Sequence, residues 1–67
     1  MSEAQGRVLR AVREYIAEWG EAPTIRELCQ QVGLSSTSSV AYHLIRLEER
    51  GLISRQRARH RSIRLDA

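Results

Sequence analysis

Val32-Gly33-Leu34-Ser35-Ser36-Thr37-Ser38-Ser39-Val40 is the stretch on which the fold turns. Val32 closes one apolar stripe, a glycine and a serine run interrupt it, and Val40 opens another. Upstream, Ile25, Leu28, Cys29 and Val32 fall at i, i+3, i+4 and i+7, two helical turns with one apolar face. Downstream, Val40, Leu44 and Leu47 repeat at i, i+4 and i+7. Between the two stripes, Gly33 can take positive φ at a helix end without a Cβ clash. Leu34 is placed to pack under the corner. Ser35 or Ser36 is placed to cap the next helix by accepting a backbone N–H bond. Two short helices joined this way predict a helix-turn-helix, a motif that presents its second helix to the major groove of DNA. The plainer alternative is an αα corner in any small helical domain.

Working outward, Val8, Leu9, Val12, Tyr15, Ile16 and Trp19 form a further apolar stripe of helical period, which predicts a helix ahead of the motif. Ser2 with Gln5, and Thr24 with Glu27, have capping-box spacing. Gly20, Gly33 and Gly51 stand where the three helices should end, and Pro23 restricts the chain entering the second. After Gly51 the texture changes. Leu52 and Ile53 lead into an Arg- and Ser-rich run, and Ile63 and Leu65 alternate with Arg64. This predicts a β-hairpin turning near Ala58-Arg59-His60, the least marked element because no Asn-Gly or Asp-Gly signals the turn. The expected fold is mainly α with a small β-hairpin: a three-helix winged helix-turn-helix, one domain over residues 1–67. There are no internal repeats and no low-complexity linker.

If Val40, Leu44 and Leu47 point inward, then Ser38, Ser39, Tyr42, Arg46 and Glu49 point outward. Small hydroxyl residues at a helix start allow close approach to base edges and phosphates, and the free N–H groups there suit a phosphate. Tyr42 is unusual on a purely solvated face. Its ring is suited to a thymine methyl or a sugar and its hydroxyl to a phosphate, or else it shields the core while half exposed. His43, beside the stripe, is read either as a boundary residue bonded to backbone or as a phosphate contact. Ile45 with Tyr42 offers a second reading of the same helix, as a contact patch for a protein. Arg55, Arg57, Arg59 and Arg61 alternate and would share one face of an extended segment. In a hairpin they would project past the body along a phosphate backbone, whose geometry suits the planar guanidinium fork. The alternative is a frayed, solvated basic tail. Cys29 reads as a small core residue, and Glu48-Glu49 as solvated surface.

Charge and size narrow the function classes. Net charge is +3, and all 11 basic residues are Arg. Residues 1–34 carry four Arg against five Glu, a balance of −1, whereas residues 35–67 carry seven Arg against Glu48, Glu49 and Asp66, a balance of +4. A basic half on a near-neutral body suggests a polyanion partner, although a solvated Arg-rich tail would give the same balance. At 67 residues and 7.7 kDa, the chain has little room for a core, a cleft and a catalytic constellation together. It has no paired carboxylate site, Gly-rich phosphate loop or Ser-His-Asp set, so no enzyme, cofactor or small-molecule substrate is expected. One Cys and two His make no metal-ligand cluster. The single Cys excludes an internal disulfide framework. No apolar run approaches the ~18 residues of a membrane span, and the N-terminus has no signal-peptide apolar stretch. A reducing, cytoplasmic setting is expected.

The order of these motifs resembles the N-terminal DNA-binding domain of LexA repressors, which govern the bacterial DNA-damage (SOS) response. The similarity runs through Arg7-Val8-Leu9, then Pro23-Thr24-Ile25-Arg26-Glu27-Leu28, then Val32-Gly33-Leu34-Ser35-Ser36-Thr37-Ser38-Ser39-Val40-Ala41. His43-Leu44, Leu47-Glu48 and Arg50-Gly51-Leu52-Ile53 complete it. The resemblance implies a winged fold whose third helix reads the major groove, with contacts that map to Ser36, Ser38, Ser39, Ala41 and Tyr42. The serine-rich version resembles the Gram-positive and actinobacterial branch, which reads GAAC-type half-sites in palindromes. Tyr42 departs from the pattern. Family repressors also carry a C-terminal domain for dimerisation and self-cleavage with a Ser–Lys dyad. This sequence contains no Lys, so the resemblance carries no peptidase activity over to it. The initiating Met1 is read as favouring a complete small regulator over a domain of a longer protein.

The combined expectation is sequence-specific binding of double-stranded DNA in transcriptional regulation, as a LexA-like repressor module at the nucleoid. Ser36, Ser38, Ser39, Ala41 and Tyr42 would read or sit against base edges from the recognition helix, while Arg46 on that helix and Arg55, Arg57, Arg59 and Arg61 on the wing would neutralise phosphates. A weak homodimer is expected only on palindromic DNA. The competing expectation is a winged-helix protein-interaction module without specific DNA recognition. Structured RNA is disfavoured because an A-form major groove does not admit a reading helix.

Overall fold

The computed structural model describes residues 2–34, 36–55 and 63–65. Helix α1 spans Glu3–Trp19, α2 Ile25–Val32 and α3 Thr37–Glu49; strands β1 (Ile53–Arg55) and β2 (Ile63–Leu65) follow. Local chemistry sets each boundary. The Ser2 hydroxyl accepts the Gln5 N–H at 3.1 Å and starts α1. Thr24 and Glu27 form both halves of a capping box, Glu27 N–H to the Thr24 hydroxyl at 3.1 Å and Thr24 N–H to the Glu27 carboxylate at 2.9 Å. At the other end of α2, Gly33 sits at φ 76°, a left-handed conformation that costs an L side chain energy and a glycine little. Gly51, at φ 75°, plays the same part after α3. There the Leu52 N–H reaches the Leu47 carbonyl and the Gly51 N–H the Glu48 carbonyl, the paired bonds of a Schellman turn.

The three helices enclose one core, with α1 packed on both α2 and α3. Val8 and Val12 from α1, Leu28 from α2, and Val40, Leu44 and Leu47 from α3 are wholly buried. The short hairpin extends this core. β1 lies against α3 and pairs antiparallel with β2, in the register Ile53↔Leu65, Ser54↔Arg64 and Arg55↔Ile63. Ile53 and Ile63 turn inward and are buried. The expected hairpin is therefore present, with its apolar base on the helices. Its expected turn near Ala58-Arg59-His60 lies outside the described residues.

One core assignment is corrected. Trp19 continues the α1 stripe in sequence, yet it is 63% exposed. The reason is length. At 1.5 Å per residue the 17 residues of α1 run about 25 Å, whereas the eight of α2 run about 12 Å and the 13 of α3 about 20 Å. Ile16 still packs against the core. One turn further on, Trp19 passes the covered part of the helix and meets the half-buried Tyr15 ring at 6.1 Å between centroids.

Candidate nucleic-acid interface

The outward face of α3 follows from its inward one. With Val40, Leu44 and Leu47 buried, Ser36, Ser38, Ser39, Tyr42, Arg46 and Glu49 stand exposed, and Ala41 is half-buried beside them. The helix begins at Ser36, whose extended backbone (φ −130°, ψ 127°) puts its hydroxyl oxygen 3.2 Å from the Ser38 N–H it accepts. Ser36 is thus the N-cap, which leaves its own hydroxyl proton available to donate. Ser35, the other candidate cap, lies outside the described residues.

Three hydrogen bonds brace the turn that sets this helix in place. The Arg7 guanidinium reaches from α1 to the Val32 carbonyl at 2.6 Å, satisfying a carbonyl at the C-terminal end of α2. The Cys29 thiol donates to the Leu34 carbonyl at 2.7 Å, while the Leu34 N–H returns to the Cys29 carbonyl at 3.2 Å. Cys29 and Leu34 both pack at the margin of the core, as their places in the sequence suggest. No sequence signal marks Arg7 for this structural task.

Along the middle of α3, three exposed side chains form a ladder. Arg46 Nε donates to the Tyr42 hydroxyl oxygen at 3.2 Å, and Arg46 Nη1 pairs with Glu49 Oε1 at 3.2 Å. The guanidinium carbon also stands 5.4 Å from the Tyr42 ring centroid, within cation–π range. The Tyr42 hydroxyl first, and the Glu49 carboxylate second, hold the Arg46 guanidinium above its ordinary pKa. Glu49 is therefore an ion-pair partner as well as solvated surface. Tyr42 remains 51% exposed, and its ring meets the His43 ring edge-on at 5.4 Å and 67°. His43 lies half-buried beside the stripe, with its Nδ1 buried and without a hydrogen-bond partner among the described residues. Ile45 is exposed at 41%.

The wing is described only at its base. Arg55 is half-buried on β1, opposite Ile63. Arg57, Arg59 and Arg61 lie outside the described residues. Among the described residues no group of His, Cys, Asp and Glu could hold a metal ion, and no helix is long and apolar enough to cross a membrane.

The chain is similar in sequence to known proteins over nearly its whole length. Residues 1–62 match the family described as the LexA DNA binding domain. A LexA repressor of Clostridium botulinum is 46% identical over 63 residues, covering 94% of this chain and 31% of the repressor. One from Clostridium acetobutylicum is 43% identical over the same coverage. One from Carboxydothermus hydrogenoformans is 40% identical over 67 residues, covering 100% of this chain and 33% of the repressor. The chain thus spans about a third of the length of the curated relatives it matches.

Proposed function

The chain belongs to the LexA DNA-binding domain family, and on that premise we propose that it is a sequence-specific double-stranded DNA-binding module acting in transcriptional repression. One observation carries the reading furthest. The helix after the turn buries a complete apolar stripe and turns a capped, serine-rich start with Tyr42 and Arg46 to the outside. In this reading Ser36, Ser38, Ser39, Ala41 and Tyr42 meet base edges and the nearby backbone, with Arg46 beside them on the same exposed face. Arg55, Arg57, Arg59 and Arg61 neutralise phosphates. The module works by occupying promoter DNA in the cytoplasm, with two copies meeting on a palindrome. The half-site follows the GAAC type that the family resemblance implies.

Salt dependence tests the electrostatic half of this mechanism. Four neutralised phosphates should make log affinity fall against log salt with a slope of about −3.6. Fluorescence anisotropy of a labelled duplex over a salt series reads that slope. A flat response contradicts the mechanism.

A second reading rests on the exposure of Tyr42 and Ile45 on α3, which would suit a protein partner. Reversing Arg55→Glu together with Arg57→Glu separates the two. DNA binding is lost under the first reading, and partner binding survives under the second.

A further inference from the structure

The Tyr42–Arg46 contact has a chemical polarity. A guanidinium has N–H donors and no acceptor. At 3.2 Å from Arg46 Nε, the Tyr42 oxygen must therefore be accepting. The hydroxyl's own proton is left over, on a half-exposed ring facing away from the core. The ring is held from two sides, by the guanidinium 5.4 Å from its centroid and by the edge-on His43 ring at 5.4 Å. Glu49 anchors the far end of the guanidinium at 3.2 Å and supplies its counter-charge. A fixed phenol whose acceptor side is occupied is a hydrogen-bond donor of set direction.

We infer that Tyr42 is a specificity-determining residue that donates to an acceptor atom on the major-groove edge of the half-site, with Arg46 as its positioning residue. This rests on the DNA-reading role proposed for α3 and names what that face selects. The acceptors available there are purine N7, guanine O6 and thymine O4, whereas adenine N6 and cytosine N4 are donors. Tyr42 thus favours a base that presents an acceptor and disfavours one that presents an amino group. Arg46, already matched by Glu49, serves the tyrosine rather than a phosphate.

Single-atom deletions in the DNA test this. The protein is titrated by anisotropy against a GAAC/GTTC palindromic duplex carrying one change at a time. The changes are 7-deazaguanine, 7-deazaadenine, 2-aminopurine for guanine, and 5-methyl-2-pyrimidinone for thymine. Together they remove every N7, O6 and O4 acceptor in turn. One position per half-site should cost the unaltered protein roughly 2- to 10-fold in affinity, the range of one net hydrogen bond. The same deletion should cost Tyr42→Phe nothing further. Arg46→Met should lose the penalty at that position while keeping the salt slope. As a phosphate contact, Arg46 would instead make the slope shallower by about 0.9 on removal, which overturns its positioning role. A loss of affinity in Tyr42→Phe that no base deletion reproduces would assign the hydroxyl to a phosphate and overturn the inference. Failure to bind the unmodified duplex would remove the DNA reading itself; binding with no position coupled to Tyr42 removes only the inference.

Discussion

Leu44 and Trp19 show how much one residue's position matters in so small a chain. Leu44 is wholly buried and faces the core from α3, whereas Trp19 is the larger side chain and largely in water. Truncating Leu44→Ala removes buried methylenes and leaves a cavity, which costs about 2–5 kcal/mol. A domain of this size holds only about 3–10 kcal/mol in all, so that single change takes a large fraction. Trp19→Ala removes more atoms but little buried surface, and is expected to cost about 0.5 kcal/mol or less. Urea titration of both variants measures this. A Trp19→Ala loss equal to that of Leu44→Ala would show that Trp19 belongs to the core after all. The stripe pattern makes Val40, Leu44 and Leu47 legible from sequence, because their period places them under the neighbouring helices. The same period carries on to Trp19 and misleads there, because periodicity records a direction around the helix and says nothing of where its cover stops. Arg7 is illegible for another reason. Its partner, the Val32 carbonyl, is a backbone atom 25 positions away, and nothing separates Arg7 from the other arginines in sequence. The Glu49 pairing with Arg46, by contrast, lies at i+3 and carries a spacing signal.

At the scale of elements, side-chain caps and glycines do much of the defining work. Helix α2 has eight residues, shorter than a helix that persists alone in water. It depends on its capping box, its Gly33 terminus and its packing against α1 and α3. Thr24→Ala removes the hydroxyl that accepts the Glu27 N–H and is expected to cost about 1 kcal/mol, or about 4–8 °C in Tm for a domain of this size. Calorimetry reads the shift. An unchanged Tm would mean that the box stabilises nothing beyond what water supplies. These boundaries are legible because Thr-x-x-Glu and a glycine after an apolar turn each have one local meaning. The hairpin is less so. Its three-residue strands are stabilised by burying Ile53 and Ile63 against the helical body, a tertiary condition that only the inward alternation of those residues hints at.

For the whole molecule, charge and architecture agree. The half of the sequence with the balance of +4 contains α3 and the hairpin, and the half at −1 contains α1 and α2. The residues proposed to read bases therefore sit in the half whose charge attracts a polyanion, so steering and reading would work on the same side of the chain. The family assignment extends through residues 1–62, and the palindromic target is part of the proposed function. The proposed function requires the exposed face of α3 to recognise a sequence as well as attract phosphate. The most direct measurement is fluorescence anisotropy on a duplex carrying the GAAC/GTTC palindrome and on a scrambled duplex of equal length, at two salt concentrations, with stoichiometry read at saturation. Preference for the palindrome should persist as salt rises, with two copies per duplex. Equal, salt-labile binding to both duplexes would contradict it and leave only a basic module without sequence recognition.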